Sequence, residues 1–461
     1  MMNSFVRKSR ARKSAILILL GCALLFSPLS AQDQDKVRTK YIELDNGLRV
    51  YLYEKHTLPL VNLAVAVNVG SKDENEETSG LVHILEHYIL FRGTHSRSSD
   101  QISGDIRKHG AYFNAHTGHD ISLFEMSLSS EYLDFALENQ KDILFNLNLT
   151  QEELDEEKQV ILEEINQVQD DPFKAATSLV YQNLFPDHPY AKPIYGKEEV
   201  IKAASAAQLE KFYEQFFVPG NCVLTVVGDF ILEDAEEKIK KVFGSLEKKE
   251  FAPPEFEKAK PLPDNVEIEK EMDVNQAYLI IGLQAPDYNH PEQYAMDLLT
   301  EIIGRGINPM LSGPLRGRRE LIRSLSMGYG LFKHGGAVLI FLTLDPKNIK
   351  FTRNETLKLL RNAKNMNFSI KDYPDASRFE AFDYLESAKN QIKLKSQQLR
   401  EKGLDIASSF AMHMMLRDED AQRNFLESIE KTSSSDLRET AGNYFSKGRY
   451  VMAAIVPQKK K

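Results

Sequence analysis

Cysteine is nearly missing from this 461-residue sequence, which holds Cys22 and Cys222 and no others. Long apolar runs are missing too. The stretch from Ala15 to Phe26 has 12 residues and no other run comes near the roughly 18–20 that a membrane span needs. Lys and Arg number 58 against 67 Asp and Glu, a formal charge of −9. An acidic surface of that kind excludes nucleic acid as the partner. Histidine is scarce as well, 11 residues in all, so a pair of them at chelating spacing carries information.

The Ala15–Phe26 stretch follows Arg7, Lys8, Arg10, Arg12 and Lys13 and is broken by Ser27 and Pro28. Residues 1–31 therefore read as an export signal, with cleavage after Ala31 and a periplasmic product. The alternative is lipid attachment at Cys22, preceded by Leu19-Leu20-Gly21; against it, the residues that follow Cys22 stay apolar, where an anchored protein begins a polar tether. Removing these 31 residues and their five positive charges leaves 430 residues of formal charge −14 with Cys222 alone. No internal disulfide can then form, although the compartment would permit one. Cys222 reads as a small buried hydrophobe on a strand. A chain of this length exceeds what one hydrophobic core usually supports, so at least two domains are expected.

The feature that is present is SGLVHILEHYILFRGT, Ser79 to Thr94. On a helix His83 and His87 lie one turn apart and Glu86 sits three after His83, so all three project from one face. Two neutral imidazoles on adjacent turns converge on one Zn²⁺, and a catalytic zinc takes three protein ligands and acidifies a water. A carboxylate beside that water can take its proton and hand it to a leaving amine. The order His-x-x-Glu-His is the inverted form of the better-known zinc protease helix. Ser79 is the expected N-cap, and Val82, Leu85 and Ile89 the expected core-facing side. The bland alternative is a surface helix that happens to carry two His and a Glu.

Around this helix the pattern is mixed. Leu48–Tyr53 and Val61–Val69 read as strands, and Tyr112–Leu128 as a further strand. Helices are expected from Glu131 to about Leu147 and, very acidic, from Glu152 to about Val168. The segments QLEKFYEQFFVPGNCVLTVVG and DLRETAGNYFSKGRYVMAAIV match at a constant offset of 228 residues, pairing Leu209 with Leu437, Phe217 with Phe445, Gly220 with Gly448 and Val223 with Val451. Each reads as helix, Gly-containing turn and buried strand, so the chain is expected to be duplicated. Residues 247–264, with four prolines among many charges, read as a linker. After it come a strand at Gln276–Leu283 and a helix at Pro291–Ile303. The fold expected is α+β: two similar α/β domains, 32–246 and 265–461, with mixed, mostly antiparallel sheets, facing each other across the site.

The acidic helix offers Glu152, Glu153, Asp155, Glu156, Glu157, Glu163 and Glu164 as third metal ligands, and their local sequence does not rank them. Of the other histidines, His95, His109, His116, His119 and His188 compete; His116 and His119, three apart in a strand, point to opposite faces, which is poor for chelation.

Together with GAYFNAHTGHDISLFE, EEKQVILEEI, DDPFKAA, DHPYAKPIYG and VPGNCVLTVVGDF, the metal helix resembles the pitrilysin/insulinase family of zinc metallopeptidases, the inverzincins, over almost the whole mature chain. The resemblance implies an endopeptidase or oligopeptidase acting on extended peptides, with one Zn²⁺ per chain. It implies His83, His87 and Glu164 as metal ligands, Glu164 because the family's third ligand follows the second His after 76 residues. It implies Glu86 as the base and Glu157, seven residues before Glu164, as the group that orients a ligand His. Asn114 and Ala115 match the family's edge strand that pairs with peptide substrate.

The run PLRGRRELIRSLSMGYG departs from the family, whose active single-chain members carry an Arg and, seven residues on, a Tyr that hold substrate. Leu315-Arg316 fits the first step, but the Tyr position falls on Arg323; reading Arg319-Glu320 as the Arg step puts Ser326 there. The expectation is a zinc-bearing subunit of a homodimer or heterodimer with a related chain, using Arg316 on the substrate side. The alternatives are a lone chain with a different residue pair, or a silent structural or peptide-binding family member.

Overall fold

Strands buried on both faces need apolar residues at nearly every position rather than at alternate ones, and five segments have that composition: Leu60–Val67, Cys222–Gly228, Ala277–Ala285, Gly336–Leu344 and Tyr450–Pro457. They form the centres of two sheets. The computed structural model describes residues 37–317, 320–368, 383–416 and 424–459; the expected export signal with Cys22, and Arg319, lie outside them.

The first sheet contains β1 (Arg38–Glu43), β2 (Arg49–Glu54), β3 (Leu60–Val67), β4 (Tyr112–Thr117), β5 (Ser122–Ser129) and β6 (Cys222–Gly228), ordered β1-β2-β6-β3-β5-β4. The second contains β7 (Val266–Met272), β8 (Ala277–Ala285), β9 (Ile322–Leu331), β10 (Gly336–Leu344) and β11 (Tyr450–Pro457), ordered β7-β11-β8-β10-β9. The parallel pair is β2/β6 in one and β7/β11 in the other; the remaining pairs are antiparallel. Five strands of the first sheet thus recur in the second in the same order and sense. The repeat extends to the helices before β6 and β11. Ser205 and Ser433, again 228 apart, each open a capping box, with Gln208 and Asp436. Leu209, Leu437, Phe217, Phe445, Val223 and Val451 are all buried.

Helices α1 (Leu81–Phe91), α2 (Ser99–Lys108), α3 (Leu133–Phe145), α4 (Gln151–Asp170), α5 (Pro172–Leu184), α6 (Glu198–Ala203), α7 (Ala206–Phe216) and α8 (Leu232–Phe243) belong to the first half. The second half has α9 (Gln293–Thr300), α10 (Ser312–Arg316), α11 (Ile349–Asn362), α12 (Tyr384–Leu399) and α13 (Gly403–Leu416). Each sheet is covered on one face by its own helices and on the other by a helix from the opposite half. Ile406, Ala407, Ala411 and Met414 of α13 pack on Tyr51, Ala64, Ala66 and Val223 of the first sheet. Ala176, Val180 and Leu184 of α5 pack on Ile280, Ala453 and Ile455 of the second. Both approaches are close. A Cβ on Gly282 would lie 2.3 Å from Val180 Cγ1, and one on Gly403 2.2 Å from Asn62 Nδ2. Between β6 and β7 residues 247–263 have no helix or strand, and Leu262 is buried against the second sheet.

Two local expectations change. Tyr112–Leu128 is not one strand but the hairpin β4/β5, because Gly118 and Asp120 turn the chain and Gly118 N donates to Ile121 O at 2.9 Å. His116 therefore lies exposed on β4 while His119 is buried in the turn, where burial pulls its imidazole down to about 4. The N-cap of α1 is Gly80 rather than Ser79.

Gly282→Ala is expected to cost about 1–3 kcal/mol through overpacking on Val180. Gly328→Ala on β9, where an added Cβ meets nothing within 4 Å, should stay within about 0.5 kcal/mol. Thermal unfolding of the two variants checks the contrast.

Candidate metal centre

Val82, Leu85 and Ile89 are buried in the first core and hold α1 with its opposite side toward α4. That side carries His83 and His87, each 5 % exposed. From α4, Leu154, Ile161 and Ile165 enter the same core, which leaves Glu157 and Glu164, one i,i+7 step apart, facing the imidazoles. Glu164 Oε2 lies 3.2 Å from His83 Nε2 and 3.5 Å from His87 Nε2. Glu157 Oε2 meets the other nitrogen of His87, Nδ1, at 3.2 Å. Arg92, one turn beyond the cluster, donates from Nε to Glu157 Oε1 at 2.7 Å and pairs with Glu156 at 2.7 Å. Glu86 Oε2 lies 3.5 Å from His83 Nδ1.

The donor set fits a metal. Among the described residues His83, His87 and Glu164 are the group of three whose ligand atoms all fall within 4.8 Å of one another. Two imidazole nitrogens and one carboxylate oxygen are a common catalytic zinc shell, and bonds of about 2.0–2.2 Å set ligand–ligand edges of roughly 3.3–3.6 Å. Electrostatics agree. Burial lowers the basicity of His83, but Glu164 and Glu86 outweigh it and lift the imidazole to about 9. Burial works against ionised Glu86 and His83 overcomes it, so the carboxyl stays below its ordinary value. Glu164 is held low by its hydrogen bond to His83.

Asn114 and Ala115 lie on β4, the outermost strand of the first sheet, where they pair with Glu125 and Phe124 on the inner side only. Arg316 stands apart at the end of α10, exposed, with Nη2 3.5 Å from Arg323 O. Ser326 is exposed on β9, and Tyr329 uses its hydroxyl on Pro286 O at 2.6 Å. Three participants went unnoticed in the sequence. Tyr195 packs edge-on to His83 with ring centroids 5.0 Å apart; Arg92 secures Glu157; Glu74 reaches the start of α1. Tyr195 sits in the DHPYAKPIYG segment and Arg92 in SGLVHILEHYILFRGT, so those segments were signals; for Glu74 the chain gives none without the fold.

The profile described as Insulinase (Peptidase family M16) matches residues 49–198, and that described as Peptidase M16 inactive domain matches 203–376. A zinc protease of Rickettsia felis, itself uncharacterized, is 31 % identical over 303 residues, 65 % of this chain and 72 % of the relative. The chain belongs to the M16 peptidase family. Other M16 relatives span more of it. An uncharacterized zinc protease of Rickettsia bellii is 29 % identical over 88 % of this chain and 94 % of its own length. Zinc protease PqqE of Helicobacter pylori is 24 % identical over 95 % and 96 %. The fold is that of a protease from Helicobacter pylori, with TM-score 0.83 at 23 % identity over 91 % of this chain and all of that one. It is also that of an M16 inactive domain from Pseudomonas fluorescens, with TM-score 0.81 at 18 % identity over 92 % and 99 %. The His/Glu cluster falls wholly inside the first M16 profile.

Two outcomes are expected. In metal-free protein His83, raised to about 9, adds stability that is full below pH ~6.5 and is lost as pH rises through about 9; Tm of chelator-treated protein should fall across that window, and His83→Gln should flatten the fall. Glu157→Gln should weaken zinc binding about 10–100-fold, measured against a competing chelator dye.

Proposed function

We propose that this chain is a zinc-dependent endopeptidase or oligopeptidase acting on extended peptides or unfolded segments, with one Zn²⁺ held by His83, His87 and Glu164. The observation that carries this reading is the convergence of those three side chains from α1 and α4 with the Glu86 carboxylate beside them. Zn²⁺ in such a shell acts as a Lewis acid, bringing the pKa of water down to about 7 and polarising a carbonyl. Glu86, whose carboxylate stands beside the cluster, takes the proton of the attacking water and delivers it to the departing amine nitrogen. Hydrolysis is then one-step with no acyl-enzyme, because the nucleophile is the water that Glu86 deprotonates. Glu157, fixed by Arg92, holds the His87 ring through Nδ1 and keeps its Nε2 turned toward Glu164.

The outer edge of β4, the strand that carries Asn114 and Ala115, pairs with no other strand among the described residues, and an extended peptide adds there as a further strand. Such addition would favour unfolded segments over folded surfaces. Neither Arg323 nor Ser326 supplies a Tyr, so a second copy or a related M16 chain is proposed to complete the substrate chamber, with Arg316 on its wall. Export through residues 1–31 belongs to the same proposal. No helix among the described residues is long and apolar enough to cross a membrane.

Glu86→Gln is expected to lower kcat by at least about 100-fold while zinc content stays near one per chain, and chelation should abolish cleavage that added zinc restores. A peptide-library digest with the mature chain, alone and with any co-purifying M16 chain, reads this out. Equal cleavage by wild type and Glu86→Gln, or wild-type protein that takes up no zinc, would sink the proposal in favour of a silent or peptide-binding member.

A further inference from the structure

Helix α1 is capped from a distance. Gly80 precedes it at φ 98° with no side chain to offer, and the Ser79 hydroxyl is buried without a hydrogen-bond partner. The open N–H groups go instead to Glu74, whose Oε2 accepts from Gly80 N at 2.8 Å and whose Oε1 accepts from Val82 N at 2.9 Å. Glu74 is 3 % exposed. Burial pushes its carboxyl up to about 8, and the two N–H donors at the positive end of the helix pull against that.

Glu74 is itself anchored on two sides. The segment that carries it lies against the β4/β5 turn: Ser71 N donates to Gly118 O at 3.1 Å, Lys72 N donates to His119 O at 3.1 Å, and a Cβ on Gly70 would lie 2.3 Å from His119 O. On the other side Lys192 Nζ donates to Glu74 O. Four residues on, Gly196 approaches Gly80 so closely that a Cβ there would lie 2.5 Å from Gly80 Cα. Tyr195, next to that contact, rests on His83. The segment around Glu74 therefore ties three parts together: its carboxyl group holds the first turn of the metal helix, its main-chain oxygen accepts from Lys192 in the segment that backs His83, and the amides of Ser71 and Lys72 hold the turn that ends the edge strand.

We propose that Glu74 is a positioning residue. It fixes α1 one residue before His83 against the β4/β5 turn, and so sets how the metal-holding side chains and Glu86 stand relative to the strand edge at Asn114 and Ala115. This rests on the metallopeptidase reading above. A carboxylate that merely stabilised the fold would change global unfolding and nothing specific to the site.

The test uses the mature chain as wild type, E74A and E74Q, with three readouts: zinc affinity of the metal-free protein by chelator competition, kcat and KM on one peptide, and amide exchange along α1. E74A is expected to lose about tenfold or more in zinc affinity and in kcat with KM within about threefold. Exchange at residues 81–85 should rise while β3 and β6 keep their protection. E74Q, which keeps one carbonyl acceptor, should fall between. E74A that binds zinc and turns over within about twofold of wild type, or that loses protection equally in β3 and β6, overturns the proposal. Should E74A not fold, E74Q decides: weakened zinc binding with β3 and β6 intact supports the proposal, and unchanged binding overturns it. Wild type without zinc sinks the metallopeptidase reading; zinc-bound wild type beside an indifferent E74A sinks the Glu74 inference alone.

Discussion

Neither sheet can bury itself. The centres of both are apolar on two faces, and each half supplies helices for one face only, so α5 has to cross to the second sheet and α13 to the first. The site depends on this exchange. Helix α4, which carries Glu157 and Glu164, runs straight into α5 through Asp171, whose carboxylate accepts from Phe173 N and Lys174 N at 2.9 Å each. Where α5 docks on the second sheet therefore decides where α4 ends, and with it where two carboxylates meet two imidazoles. Close packing makes the docking stiff: Gly282 leaves Val180 no slack. A second tie is polar. The buried carboxylate of Asp120 in the β4/β5 turn accepts from Tyr190 OH at 2.8 Å and from Lys333 N at 2.9 Å, the latter in the β9/β10 turn of the other half. A buried charge is tolerated there because its donors come from both halves at once.

The same fold is used twice with different chemistry. The strand order repeats, and so do the Ser-capped helices and the buried strands that close each half. Among the described residues only the first half places His and Glu within metal-holding reach. The second half contributes the cover for the first sheet. β9 is the positional counterpart of β4, an outer edge in each case, and Arg316, Arg323 and Ser326 cluster around its start.

Local chemistry in this chain is legible wherever it repeats at a fixed spacing. His83, Glu86 and His87 share a helical face by arithmetic, Glu157 and Glu164 do so by another, and the duplication shows in a constant offset. The polar run His116–Asp120 between two β-type segments is itself a turn signal, so the hairpin at Gly118–Ile121 is legible in the chain; the N-cap of α1 is not, because the nearest Ser is the usual cap and capping is usually local. Ranking seven acids on one helix needed family resemblance: all are carboxylates on similar turns.

By itself the sequence determined the α+β class, the twofold repeat, and that His83, Glu86 and His87 share one helical face, since these follow from periodicity and side-chain type. The resemblance pointed to Glu164 and the tertiary structure brings it to both imidazoles; that Arg92 secures Glu157 the tertiary structure alone decided. It also decided that Glu74, from outside the helix, caps α1. Each of these joins segments whose separation along the chain says nothing of their distance in space, because the packing of α4 on α1 and of α5 on the opposite sheet sets that distance.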